Sequence, residues 1–113
     1  MNIITETISL EELRRMAAAM FGDMVKAVVD IERQIVALDG ELHADLESLL
    51  LEHGSKQKDL WGINLYPDAP EDSFIQYDSL INVRPSQGNQ SRGVDQLKVR
   101  EAISKIIFEK VRK

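Results

Sequence analysis

The sequence predicts an α+β fold: a single-layer, mostly antiparallel five-strand sheet with three helices, in the order β-α-β-β-α-β-β-α. Three segments repeat apolar residues at helical spacing, whereas the segments rich in β-branched residues occur as two successive pairs. Hairpin strands are antiparallel neighbours, so we expect the helices to pack together on one face of the sheet.

The first helix has the best-marked start. After a short initial strand, Ser9 is the expected N-cap and Glu12 completes a capping box. Ile8 and Leu13 have the spacing of a hydrophobic staple, and Gly22 provides the stop.

The middle of the chain predicts a hairpin and then a second helix. KAVVDIERQIVALDG contains two β-branched runs, and ELHADLESLLLEH places its leucines on one helical face before Gly54. A strand is the alternative for the second segment, because Asp39-Gly40 is a hairpin signal and ELHADLE alternates polar and apolar residues.

The C-terminal half predicts another hairpin and a third helix. LWGINLY and FIQYDSLINV form the two strands, and PDAPED is the loop between them. Apolar residues from Leu97 to Val111 follow helical spacing, with Asp95 as the expected N-cap.

Length and composition predict one globular domain over residues 1–113. Apolar residues make up 43% and charged residues 29%, and there is no cysteine. The sequence shows neither a secretory signal nor an apolar run of membrane length, so a cytoplasmic protein with no membrane contact is expected.

Charge is distributed unevenly along the chain. Residues 92–113 carry a net charge of +4, whereas the rest carries −9. An acidic body argues against general nucleic-acid binding, which depends on neutralising phosphates. A basic end on an acidic body makes a homo-oligomer possible.

The stretch INVRPSQGNQSRGV is the first candidate site. Gly88 and Gly93 have phosphate-loop spacing, but the lysine and hydroxyl residue that such a loop requires are missing. Its arginines and amides could still bind a carboxylate or phosphate, through Arg84, Gln87, Asn89, Ser91 and Arg92. The alternative is a structural turn in which Gly88 and Asn89 are left-handed and the arginines pair with nearby acids.

A second candidate is a metal site at His43, Asp45 and Glu47. A strand would place these side chains on one face, whereas a helix would leave only His43 and Glu47 together. The alternative is a helix start, where acidic residues suit the helix dipole and His43 lies at the surface or caps the helix.

Several unusual strings resemble a family of small prokaryotic proteins known as a domain of unknown function. The strings are VKAVVDI, GELHADLE, LLLEHGSKQ, LWGINLYP and INVRPSQGNQSRGV. The family brings no activity, and any cofactor stays unknown. The resemblance implies that one polar set recurs: His43, Asp45, Glu47, Ser55, Lys56, Gln57, Trp61, Asn64, Asn82, Arg84, Gln87, Asn89 and Ser91.

The sequence therefore favours a small soluble binding module whose polar site takes an anionic small molecule or an acidic partner segment. Its expected ligand-binding residues are Arg84, Gln87, Asn89, Ser91, Arg92, Ser55, Lys56, Gln57, Asn64 and Asn82. Two alternatives stay open: a metal-assisted hydrolase using His43, Asp45 and Glu47, and an antitoxin-like protein that acts through assembly.

Overall fold

An antiparallel sheet with helices on both faces forms the body of the molecule. The computed structural model describes residues 1–113. The strands are β1 (Asn2–Ile4), β2 (Ile8–Ser9), β3 (Val25–Asp30), β4 (Ile35–Leu38), β5 (Leu60–Leu65), β6 (Ile75–Gln76) and β7 (Val111–Arg112). The helices are α1 (Leu10–Ala19), α2 (His43–Glu52) and α3 (Leu97–Lys110). The α+β class and its three helices are confirmed.

The five strands of the main sheet lie in the order β1-β4-β3-β5-β6, and every neighbouring pair is antiparallel. A separate parallel pair, β2 with β7, ties the two ends of the chain together. No helix has the length and apolar character needed to cross a membrane.

The start of α1 follows the predicted capping pattern. The backbone N–H of Glu12 donates to Ser9 Oγ at 3.1 Å, which satisfies one of the free donors of the first turn. Ile8 and Leu13 are buried in the same apolar cluster, and Gly22 has a φ of +97° beyond the helix end. Local sequence is sufficient to define this element.

The expectation that all helices pack on one face is wrong. Alternate residues of β3, β4 and β5 join two different apolar clusters. One cluster contains Leu13 of α1 and Ile103 of α3, whereas the other contains Leu46 and Leu50 of α2. The continuous apolar run of β4 requires this arrangement, because all four of its residues are buried and both of its faces must be covered.

Two further local predictions are wrong. The strand expected through FIQYDSLINV is limited to β6, and Leu80–Asn82 forms a 3₁₀ turn. Asp95 does not cap α3, since Gln96 occupies the N-cap without a side-chain bond. Asp95 instead accepts from the backbone N–H of Gln90 at 2.8 Å and holds the preceding loop.

Residues 43–52 form a helix, so the strand alternative for this segment is excluded. Beneath the first turn of α2, the sheet face becomes polar. Lys26 of β3 lies opposite Asn64 of β5, on the same side of the sheet as the buried Val28 and Leu60. This polar end of an otherwise apolar face is where the candidate site lies.

Candidate functional site

A cleft of about 310 Å³ opens between the first turn of α2 and the 3₁₀ segment that follows β6. We call it the α2 cleft. It is lined by Lys26, Leu42, His43, Ala44, Ser79, Leu80, Ile81 and Arg92. Two of its eight lining residues are basic and none is acidic, although the chain contains 19 acidic and 14 basic residues.

The first turn of α2 contributes backbone polarity to the cleft. Its N-cap is Leu42, whose side chain cannot accept a hydrogen bond from the first-turn N–H groups. The positive end of the helix dipole therefore lies beside Lys26 and Arg92, which adds to the attraction for an anion.

His43 is buried at this helix start rather than at the surface. Its Nε2–H donates to the carbonyl oxygen of Ile63 at 2.8 Å, because a carbonyl can only accept. Burial lowers the pKa of His43, and the charge of Lys26 acts in the same direction. The Ile63 bond, the Asp78 carboxylate and the Asn64 side chain oppose this shift.

Ser79 supplies a buried hydroxyl at the base of the cleft. It is 1% exposed and packs so closely on Gly62 that a Cβ added there would lie 2.5 Å from Ser79 Cβ. Ser79 Oγ accepts from the backbone N–H of Ile81 at 3.3 Å, which leaves its hydroxyl proton free to donate.

Arg92 reaches the cleft from the loop before α3. Its Nε donates to Asp78 Oδ1 at 2.7 Å, in an ion pair whose side chains are 58% and 44% exposed. Exposed pairs contribute only about 0–1 kcal/mol, so an incoming anion can compete with Asp78 for this guanidinium.

Arg84 has a different environment from Arg92, although the two arginines belong to the same predicted site. It is 8% exposed and lies over the Trp61 ring, with the guanidinium carbon 4.2 Å from the ring centroid. Its terminal nitrogens donate to the carbonyl oxygens of Gln57 and Leu60. Burial lowers the pKa of Arg84, and the charge of Glu47 opposes that shift. Backbone carbonyls therefore hold both terminal nitrogens of Arg84, and its buried Nε has no hydrogen-bond partner. Arg84 does not line the α2 cleft.

Residues 2–110 match the family described as "Protein of unknown function (DUF5674)". The chain belongs to this family. No curated protein and no solved structure matches it. Membership in DUF5674 defines no activity for the chain.

Two asparagines that the DUF5674 resemblance groups with the site build the loop instead. Asn82 is fully buried, accepts from the N–H of Gly62 at 2.8 Å and donates to the Gly62 carbonyl at 2.9 Å. Asn89 donates to the carbonyls of Asn82 and Gly93 and accepts from Asp95 N–H. Both amides replace strand-like pairing with side-chain bonds to the backbone.

The turn alternative is partly correct. Gly88 is left-handed, with a φ of +81°, but Asn89 is not. Of the two arginines, Arg92 pairs with an acid, whereas Arg84 pairs with carbonyls.

The remaining predicted ligand-binding residues do not line the α2 cleft. Ser55 Oγ donates to the buried carboxylate of Asp30 at 2.6 Å, while Lys56 and Gln57 are exposed. The others hold neighbouring chain: Gln87 donates to Lys58 O, Ser91 to Asp95, and Asn64 to Gln76 Oε1 and Asp78 O.

The three predicted metal ligands do not converge. His43 bonds the Ile63 carbonyl, Asp45 is exposed, and Glu47 lies near Arg84. No group of three or more His, Cys, Asp or Glu side chains that could hold a metal ion is present. The helical spacing of α2 explains this, because Asp45 falls on a different face from His43 and Glu47.

Sequence reasoning missed Lys26 and Ser79 as site residues. One available signal was the position of Lys26 as the single charge inside VKAVV, where the neighbouring strand residues are apolar. Ser79 gave no comparable signal, because its place depends on the contact with Gly62 across the sheet.

Proposed function

We propose that this protein is a small binding module that holds the charged group of an anionic ligand in the α2 cleft. The observation that carries the proposal is the charge of the lining: two cations and no acid, on a chain of net charge −5. Clefts lined by one sign of charge concentrate ligands of the opposite sign.

The donors available in the cleft suit a carboxylate or phosphate oxygen. Arg92 can offer terminal guanidinium N–H groups, since its hydrogen bond to Asp78 uses Nε. Lys26 supplies a point charge, and the first turn of α2 and the Ser79 hydroxyl add neutral donors. In this proposal Arg92 carries the role that sequence alone assigned jointly to Arg84 and Arg92.

The metal-assisted hydrolase receives no support from the position of its three residues, so it is not proposed. The cytoplasm is kept as the proposed compartment, because a chain without cysteine suits a reducing environment.

The test is a titration with inorganic phosphate and with acetate at low ionic strength, followed by amide NMR. We expect shifts confined to the α2 cleft, and about tenfold weaker binding in Arg92→Gln, since hydrogen bonds between charged groups contribute about 1.5–3 kcal/mol.

Arg14→Gln is the matched control. Arg14 also donates through Nε to an exposed aspartate, Asp68, at 2.7 Å, but it lies outside the cleft. Equal weakening by Arg14→Gln would attribute binding to overall charge and contradict the proposal, as would an absence of shifts with both anions.

A further inference from the structure

The rim of the α2 cleft is apolar, and this narrows the class of anion that fits it. Leu42 and Leu80 line the cleft but are 56% and 69% exposed. Phe21, which is 40% exposed, lies beneath the Lys26 ammonium group, and its ring centroid is 5.1 Å from Lys26 Nζ. When a ligand covers large apolar side chains and removes them from water, the free energy of binding becomes more favourable.

The charge balance around the cleft favours a ligand with a single negative charge. Lys26 and Arg92 contribute two positive charges, and Asp78, which is paired with Arg92, cancels one of them. A dianion would leave an uncompensated negative charge beside Asp78, whereas a carboxylate balances the site.

The volume of about 310 Å³ is at the lower end of the usual range for ligand pockets, so the ligand is small. We infer that the α2 cleft takes a small monocarboxylic acid, with its carboxylate between Lys26 and Arg92 and its apolar body against Leu42 and Leu80. This inference rests on the proposed function and specifies its ligand class.

The experiment compares acetate, butanoate and hexanoate by calorimetry at pH 7.5, with inorganic phosphate and 1-hexanol as reference compounds. Burying a methylene contributes about two- to fourfold in affinity when it is partly or fully removed from water. We expect affinity to rise along the acid series by that factor per added methylene, with phosphate and hexanol both weaker than hexanoate.

Two leucine variants separate the apolar contact from a general change in surface. Leu80→Ser should flatten the dependence on chain length, because it removes apolar surface that the longer acids would cover. Leu97→Ser is the matched control, because Leu97 is 62% exposed and does not line the cleft, and it should leave the series unchanged.

The outcomes distinguish failure of this inference from failure of the proposed anion-binding function. If phosphate binds more tightly than hexanoate, or if acetate and hexanoate bind equally, the inference is overturned while anion binding stands. If no anion binds, both fail. If Leu97→Ser flattens the series as much as Leu80→Ser does, the chain-length effect is not located in the cleft and the inference is likewise overturned.

Discussion

Arg84 and Arg92 belong to one 14-residue stretch, yet their burial and their hydrogen-bond partners differ. Arg84 is buried, lies on Trp61 and donates to two carbonyl oxygens. Arg92 is exposed, pairs once with Asp78 and lines the α2 cleft. Two identical side chains in one polar loop thus have different roles, one in holding the fold and the other in presenting a charge.

The largest expected effect is the loss of Arg84. Arg84→Met should lower the free energy of unfolding by about 3–5 kcal/mol, because the carbonyls of Gln57 and Leu60 lose charged donors in a buried setting. Arg92→Met should cost about 0.5 kcal/mol or less. Urea unfolding monitored by circular dichroism measures both values.

A conservative variant separates the charge of Arg84 from its planar guanidinium group. Arg84→Lys keeps the charge but cannot reach two carbonyls with a planar fork, so we expect it to recover less than half of the lost stability. Equal stability losses for Arg84→Met and Arg92→Met would abolish the distinction between the two arginines.

The sequence predicted elements whose determinants are local, such as the Ser9 cap of α1 and the left-handed Gly22 and Gly88. It did not predict the path of residues 77–95. Asn82 and Asn89 fix that path by bonding backbone groups that are distant in sequence or in a neighbouring strand, and hydrophobic periodicity carries no record of such bonds.

The candidate site was predicted only in part, because its composition also depends on contacts between residues distant in sequence. Arg92 was identified from its residue type. Its separation from Arg84 depends on the side of the loop from which each side chain projects. Lys26 and Ser79 enter the site through the packing of β3 and of Gly62, which no short stretch of sequence specifies.

A second prediction tests the contact that connects the loop to the sheet. Gly62→Ala places a methyl group about 2.5 Å from Ser79 Cβ, so Ser79 must move. We expect a loss of about 1–3 kcal/mol in unfolding free energy from overpacking, together with weaker anion binding, because Ser79 lines the α2 cleft. Urea unfolding and the acetate titration report the two effects separately. Native stability in Gly62→Ala would contradict this account of the close contact.

A third prediction concerns pH. Burial lowers the pKa of His43, so below its ordinary value near 6.5 the unfolded chain takes up a proton that the folded chain resists. Stability from this group is complete above about pH 6.5 and is lost as pH falls toward the lowered pKa. The midpoint of thermal unfolding, measured from pH 8 to pH 5, should therefore fall on the acid side.

His43→Gln should flatten that acid-side fall, since glutamine can still donate to the Ile63 carbonyl but does not titrate. His53→Gln makes the same replacement at an exposed histidine and provides the control variant. A profile that is equally steep in His43→Gln would assign the acid sensitivity to the carboxylates.

The smallest expected effect is also the most specific to the cleft. Asp78→Asn removes the carboxylate that occupies Arg92 Nε, so anion affinity should rise by about two- to fivefold while unfolding free energy changes by about 0.5 kcal/mol or less. Asp68→Asn releases Arg14 from the same kind of pair at the same 2.7 Å distance, and it should leave affinity unchanged. Since both variants make the net charge of the chain less negative by one, a gain shared by both would reflect bulk electrostatics. A gain confined to Asp78→Asn would identify Arg92 as the group that the anion contacts.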